Sequence, residues 1–162
     1  MSKLHWLLVT MLVAQTGCAP TGPRIATTLN DKAALTGDLP EDPLNWRVIT
    51  CDANPHEATM STLFGNDTAV QYARANTEGN YPAGSLLSLV TWRQQEDIRW
   101  FGALMPAQAA SVEFVDVRPV QSRLTAFYRV WEGFPLRESS RSTIVADQRT
   151  TYLLSLRAAV MP

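Results

Sequence analysis

Apolar residues in the second half of the chain fall into short stretches that predict β-strands. Residues 86–92, Leu-Leu-Ser-Leu-Val-Thr-Trp, are apolar on both faces, which is typical of an interior strand. The stretches 47–51, 98–104, 112–117 and 125–131 predict further strands. Because only short connections with turn residues separate the later stretches, we expect antiparallel pairing.

One of these stretches, 112–117, does not follow simple alternation. Val112 and Phe114 share one face of a strand, whereas Val115 and Val117 share the other. A bulge or a strong twist near Phe114 would bring both pairs to one buried face. The sequence therefore predicts an irregular strand at this point.

Two segments have the spacing of helices. Asn66 or Asp67 can cap a helix that runs to about residue 76, where Gly79 would stop it. Its expected inward residues are Ala69, Val70 and Ala73. A closing helix is expected to start near Asp147. Its apolar stripe contains Val145, Tyr152, Leu153, Leu156 and Val160. The pattern predicts an α+β fold with an antiparallel β-sheet and flanking helices.

The N-terminus has the layout of a bacterial secretory signal. Lys3 precedes an apolar run at 6–14, and Gly17 comes directly before Cys18. The run is shorter than the roughly 20 residues that span a bilayer. We expect residues 1–18 to be a lipoprotein signal, with Cys18 receiving the lipid and the protein exported to the periplasm or cell envelope. Membrane contact would then be made through the anchor.

Behind Cys18 the hydrophobicity is low as far as residue 43. Proline, glycine, threonine and aspartate are frequent there, so 19–43 predicts a flexible tether outside the core. Residues 44–162 are then enough for one domain.

Charge and cysteine content exclude some partners and cross-links. The formal net charge is -1 and the arginines are scattered, so no nucleic-acid partner is expected. With Cys18 lipidated, Cys51 is the second of the two cysteines and has no partner for a disulfide. The domain must therefore be stabilised by packing.

Several motifs occur in an order and spacing that resemble the cytochrome P-460 family over about residues 45–160. They are Asn66-Asp67-Thr68-Ala69, Tyr81-Pro82-Ala83-Gly84, Trp100-Phe101-Gly102, Ser111-Val112-Glu113-Phe114-Val115 and Trp131-Glu132-Gly133. The resemblance implies a dimeric antiparallel-sheet protein with a c-type haem. It also implies oxidation of hydroxylamine or binding of nitric oxide, with a lysine cross-linked to the haem in the hydroxylamine-oxidising members.

The functional residues of that family are missing from this chain. No C-x-x-C-H sequence is present, and the lysines are Lys3 in the signal and Lys32 in the predicted tether. We therefore expect a cytochrome P-460-like domain without covalent haem and with no cofactor. Binding is favoured over catalysis as its mode of action.

Cys51, His56 and Met60 form C-x4-H-x3-M, a set of soft ligands suited to copper. A copper site of that kind needs a second histidine, and the other one is His5 in the signal. His56 alone would be enough to ligate a non-covalent haem. The structural interpretation is that Cys51 is a small buried residue at a strand end and His56 a solvated loop residue. Both interpretations stay open at the level of sequence.

A haem-binding fold without haem must keep its cavity or fill it with side chains, since empty space costs stability. Large residues on the predicted strands favour filling, leaving a small apolar pocket with a polar rim. They are Leu87, Leu89, Trp92, Trp100, Phe101, Phe114, Phe127 and Trp131. The predicted function is an envelope lipoprotein, a homodimer, that binds a small apolar ligand or a protein. The alternative is a redox protein, of cytochrome P-460 type if it is an enzyme, with non-covalent haem or copper. The carboxylates, among them Glu113, are expected to be mostly solvated.

Overall fold

A computed structural model describes residues 29–75 and 78–159. Six antiparallel strands follow one another in chain order across a single sheet. They are β1 (Arg47–Asn54), β2 (Thr59–Gly65), β3 (Leu86–Glu96), β4 (Leu104–Val120), β5 (Arg123–Glu132) and β6 (Arg137–Ser139). Helix α1 (Asp67–Ala75) follows β2 and helix α2 (Thr143–Ser155) follows β6. The α+β class is confirmed. The signal with Cys18, residues 19–28 and Val160 lie outside the described residues.

Helix α1 matches its sequence prediction in both its start and its buried side. The Asn66 side chain accepts a hydrogen bond from the backbone N–H of Ala69 at 3.0 Å, which satisfies one of the free donors of the first turn. The same oxygen accepts from the N–H of Leu86 at 3.2 Å, so Asn66 also ties the helix to the start of β3. The buried residues of α1 are Ala69, Val70 and Ala73.

Helix α2 starts earlier than predicted and buries less of its stripe. It begins at Thr143 rather than near Asp147, and Leu153 is its buried residue. Val145 and Tyr152 are 39% and 43% exposed. Leu153 packs against the sheet, whereas Val145 and Tyr152 border open clefts.

The predicted irregularity at Phe114 was wrong. Strand β4 pairs with β5 without a register shift from Ser111 to Val120. Val112 and Phe114 belong to one buried cluster, whereas Val115 and Val117 belong to another on the opposite face. Both faces of the strand are covered, so no bulge is needed to bury both pairs. The register shifts instead lie between β3 and β4, at Thr91 to Gln94.

The segment 29–46 covers the face of the sheet opposite the helices, so the prediction of a tether that stays out of the core was wrong for residues 29–43. Leu35 and Leu39 pack against the cluster that contains Phe64, Phe114 and Trp131. Low hydrophobicity did not prevent docking, because a few apolar side chains and many backbone hydrogen-bonding groups were enough. The packed part of the chain therefore starts well before residue 44.

Backbone contacts hold this segment against Leu136, directly before the start of β6. The N–H of Leu136 donates to the Thr36 carbonyl at 2.8 Å, and the N–H of Asp38 donates to the Leu136 carbonyl at 3.2 Å. Gly37, between them, has a φ of 154°, and a Cβ at this position would collide with the Leu136 carbonyl oxygen. A glycine is required for so close an approach of two backbones.

The strand predicted at 98–104 was wrong, and two strands were not predicted. Residues 97–103 form the turn between β3 and β4, while β2 and the short β6 had no clear alternating pattern. In β2, Leu63 faces the helices and Phe64 faces the opposite cluster. Its polar residues obscured this two-sided burial in the sequence.

Candidate functional site

A groove lies between strands β1 to β3 and the C-terminal part of α2. We call it the helix-side groove. It has a volume of about 350 Å³, and its lining includes Thr50, Ser61, Leu63, Leu89, Leu156 and Arg157. Leu63 and Leu89 lie beneath the groove as its buried floor, and its accessible apolar lining comes from Tyr152 and Leu156. Thr50, Ser61 and Arg157 add polar groups at the rim, which is the usual composition of a ligand site.

A row of polar side chains borders this floor across the whole sheet. Direct cross-strand partners project from the same face, so the pairing registers define the row. Its members are Asp52, Ser61, Thr91, Ser111, Glu132 and Arg137. The row is on the face that carries Leu63 and Leu89. It supplies hydroxyl and carboxylate groups beside an apolar surface.

Three interacting side chains occupy the interface of β4, β5 and α2, and we call them the buried ionic cluster. Glu113 is 5% exposed and accepts two hydrogen bonds from the guanidinium of Arg149, at 2.8 and 2.6 Å. The Tyr128 hydroxyl donates to the same carboxylate at 2.6 Å. These bonds compensate the loss of water around the glutamate.

Two pKa shifts reflect this arrangement. Burial raises the pKa of the Tyr128 hydroxyl, and its hydrogen bond to Glu113 raises it further. The hydrogen bond to Glu113 also raises the pKa of Arg149. Tyr128 is therefore a neutral donor and Arg149 a cation at any physiological pH.

The cluster is better suited to positioning α2 than to acid–base chemistry. Both oxygens of Glu113 accept hydrogen bonds from Arg149, and one also accepts from Tyr128. Most of the roughly four lone pairs of this carboxylate are therefore engaged by Arg149 and Tyr128, which leaves little capacity to accept a substrate proton. Beside it, a cleft of about 320 Å³ is lined by Glu132 and Arg141, among others, and these two side chains form an ion pair of their own.

The three residues of the predicted copper set lie along the β1–β2 hairpin. Cys51 is on β1 and exposed, so its interpretation as a buried residue was wrong. Met60 is half-buried and packs against the cluster of Trp92 and Phe114. Among the described residues, no group of three or more histidine, cysteine, aspartate or glutamate side chains could hold a metal ion.

His56 is exposed in the turn of the same hairpin. Its backbone N–H donates to the Asn54 side chain at 3.0 Å. The side chain lines neither the helix-side groove nor the cleft beside the buried ionic cluster. The donors do not fit a covalently held c-type haem, because Cys51 is the free cysteine of the described residues. Non-covalent ligation by His56 stays a prediction.

The aromatic residues divide into two groups. Trp92, Phe114 and Trp131 are buried, as expected for core residues, and Trp46 packs edge-to-face on Phe114 with ring centroids 6.0 Å apart. Trp100, Phe101 and Phe127 are 64%, 110% and 43% exposed, so their assignment to the core was wrong. Trp100 and Phe101 were misplaced because the turn between β3 and β4 was read as a strand.

Sequence reasoning missed the buried ionic cluster. Glu113 was grouped with solvated carboxylates, although it shares strand parity with the buried Val115 and Val117. That parity was a usable signal for burial. No sequence pattern indicated Arg149 or Tyr128, because their contact with Glu113 depends on where α2 packs on the sheet.

Comparison with known proteins adds no relative. No protein-family model matches the chain, and no curated protein matches it. The resemblance to the cytochrome P-460 family stays a prediction. None of the helices in the described part of the chain is long and apolar enough to cross a membrane.

Proposed function

We propose that this chain is an exported envelope protein, held to a membrane by a lipid on Cys18, whose cytochrome P-460-like domain binds a small ligand in the helix-side groove. It acts by binding rather than by catalysis and without covalent haem. The homodimer expected from the sequence remains part of this proposal. The ligand is small and mainly apolar, with a hydroxyl or amide group that bonds to the rim.

The composition of the helix-side groove is the observation that carries the proposal. Tyr152 and Leu156 offer accessible apolar surface above the buried Leu63 and Leu89, and the hydroxyls of Thr50 and Ser61 lie beside it. The volume of about 350 Å³ lies within the range of about 300–1,000 Å³ that is typical of small-molecule sites. The space corresponds to about twelve water volumes, at about 30 Å³ each.

The groove is tested with benzyl alcohol as a probe and backbone amide chemical shifts as the readout. We expect saturable shifts at Ser61, Leu63 and Leu89 when the alcohol is titrated into the millimolar range. Ser61→Trp fills the groove and should abolish these shifts. Ala53→Trp adds the same ring to an exposed position on the neighbouring strand, where it should leave them unchanged. Shifts that appear elsewhere, or survive Ser61→Trp, would contradict the proposal.

The anchor is tested separately, in cells that process bacterial lipoproteins. We expect the wild-type chain in the membrane fraction, with lipid mass on an N-terminal peptide that begins at Cys18. Cys18→Ala should release the protein or leave it unprocessed. Membrane partitioning that persists in Cys18→Ala, together with an N-terminal peptide free of lipid, would show that the signal is of another type.

A further inference from the structure

The turn between β3 and β4 presents large apolar side chains that the core does not use. Ile98, Trp100 and Phe101 are 99%, 64% and 110% exposed. We call these three residues the aromatic tip. Single exposed apolar residues are common on protein surfaces, but three within four positions form a patch that indicates an interaction site.

The two charged residues of the same turn, Asp97 and Arg99, are paired with each other. The Arg99 side chain donates to both carboxylate oxygens of Asp97, at 3.0 and 3.1 Å. These hydrogen bonds lower the pKa of Asp97. Backbone bonds close the turn, with the Asp97 N–H donating to the Ala103 carbonyl at 2.9 Å. The turn therefore holds its apolar side chains outward, and the charges of Asp97 and Arg99 compensate each other beside them.

The N-terminal end of the described chain lies beside the aromatic tip. Leu29 is 88% exposed and lines an open cleft of about 450 Å³ together with Ile98 and Arg99. Cys18 is eleven residues before Leu29 in the sequence. Eleven residues span at most about 40 Å. A lipid on Cys18 would therefore keep Leu29 within about 40 Å of the bilayer surface and let this end of the sheet reach it.

We propose that the aromatic tip inserts into the interface of the membrane that carries the anchor, so that lipid is its partner. The proposal rests on the proposed lipid at Cys18 for its orientation. Tryptophan favours the boundary between headgroups and acyl chains, and exposed apolar side chains gain by leaving water there. The anchor and the tip then act as two membrane contacts at one end of the domain.

This arrangement also determines how the sheet is oriented relative to the membrane. Strand β4 runs from Leu104, beside the tip, to Val120 at the far end. Its seventeen residues extend about 55 Å at about 3.3 Å per residue. The β4–β5 hairpin would project away from the membrane, which makes its exposed Leu124 a suitable control position.

The test uses the chain from residue 18 onward with Cys18→Ser, so that no lipid is attached. The probe is a vesicle of equal parts phosphatidylcholine and phosphatidylglycerol, with and without brominated acyl chains. We expect the chain to bind and brominated lipid to quench Trp100. The quenching should be lost in Trp100→Phe, while Trp46, Trp92 and Trp131 stay in the folded domain.

Two further variants distinguish insertion of the aromatic tip from nonspecific adsorption of the protein to the vesicle. The double variant Trp100→Ser, Phe101→Ser should weaken vesicle partitioning about tenfold, since about 1.4 kcal/mol corresponds to a factor of ten. Leu124→Ser, with 55% exposure at the opposite end, should change it less than about twofold. Circular dichroism verifies the fold of each variant. Equal binding by the double variant, equal losses in both variants, or no binding by the parent chain would overturn the proposal.

A second copy of the chain is the competing partner for the tip. In that case Trp100 emission would depend on protein concentration without vesicles, and this result would also overturn the proposal. Failure of the anchor is recognised independently, by the absence of lipid mass on the Cys18 peptide. Vesicle binding by the Cys18→Ser chain does not depend on that result.

Discussion

The two faces of the sheet are covered by different kinds of structure. Helices α1 and α2 cover one face, whose core is mainly aliphatic and includes Leu63, Leu87 and Val115. The segment 29–46, which contains short 3-10 helices at Asp31–Ala33 and Pro43–Asn45 but no α-helix, covers the other, which is rich in aromatic residues. We call these the helix face and the segment face.

The difference follows from the hydrogen bonds that each cover can offer. Within a helix the backbone carbonyls are used internally, whereas an irregular segment leaves some of them free. On the segment face, the indole N–H of Trp92 donates to the Ala33 carbonyl and that of Trp131 to the Asp38 carbonyl, both at 2.9 Å. Buried tryptophans need such acceptors. An irregular cover therefore suits an indole-rich core better than a helix does.

The helix face obtains its polar contact from side chains. There the buried ionic cluster connects α2 to β4 and β5, while Leu153 is the fully buried apolar residue of that helix. One face thus uses backbone groups of the segment, and the other uses a side-chain ion pair. Three predictions test this comparison, from the largest expected effect to the smallest.

Removing the cover of the segment face should have the largest effect. A chain that begins at Leu44 lacks Leu35, Leu39 and the carbonyls that accept from the indoles, so it exposes the aromatic cluster. We expect a loss of about 5 kcal/mol or more, which is comparable to the whole stability of a small domain. Urea unfolding followed by near-ultraviolet circular dichroism measures it. A chain that begins at Leu29 is the control and should unfold like the longer protein. Equal midpoints for the two chains would mean that the segment is only loosely associated.

Breaking the buried ionic cluster should have the next largest effect. Glu113→Ala leaves Arg149 without its carboxylate partner. We expect the free energy of unfolding to fall by about 3 kcal/mol. This value is at the low end for a buried pair, because the Arg149 side chain is 36% exposed. The triple variant Glu113→Leu, Tyr128→Phe, Arg149→Met removes the whole cluster and should be close to neutral. Guanidinium unfolding compares the two. A triple variant as unstable as Glu113→Ala would show that the ion pair contributes to stability beyond avoiding an unpaired charge.

The smallest effect is expected at alkaline pH. Because the pKa of Tyr128 is raised in the folded protein, the folded state keeps this proton at pH values where the unfolded chain has lost it. Stability should be independent of this group below about pH 10 and fall as the pH rises further. Thermal unfolding of wild type and Tyr128→Phe between pH 8 and pH 11 measures the difference. Burial also raises the pKa of Tyr81. The Tyr128→Phe variant should therefore keep part of the decrease in stability with rising pH. If stability falls equally with pH in wild type and Tyr128→Phe, Tyr128 does not contribute to the alkaline loss of stability.

The local elements were the most predictable part of the fold. A helix start at Asn66 or Asp67 and the inward residues Ala69, Val70 and Ala73 were predicted correctly, because a helix start depends on a few neighbouring residues; the structure shows that Asn66 is the cap. The stretch 86–92 was correctly read as part of an interior strand. The turn at 97–103 was not predicted. Its apolar residues Ile98, Trp100 and Phe101 have the composition of a strand, although all three are exposed in the structure.

The candidate sites were less predictable. A small apolar pocket with a polar rim was expected, and the helix-side groove has that composition. Its residues were not identified, because β1, β2, β3 and the end of α2 contribute to it from distant parts of the sequence. The buried ionic cluster likewise joins Glu113 to Arg149 across 36 positions of the chain.

The sequence by itself determined the α+β class, the strands at 47–51, 86–92, 112–117 and 125–131 with their antiparallel pairing, the start of α1 and the absence of a C-x-x-C-H attachment site. These depend on period, turn chemistry and residue identity, which are local properties. Only the tertiary structure decided that residues 29–43 pack on the sheet, that Phe114 and Val115 are buried on opposite faces, and that Trp100 is exposed. Burial depends on what covers each face of a sheet. That cover comes from segments whose own sequence carries little periodicity, so their position follows from packing and hydrogen bonding across the whole domain.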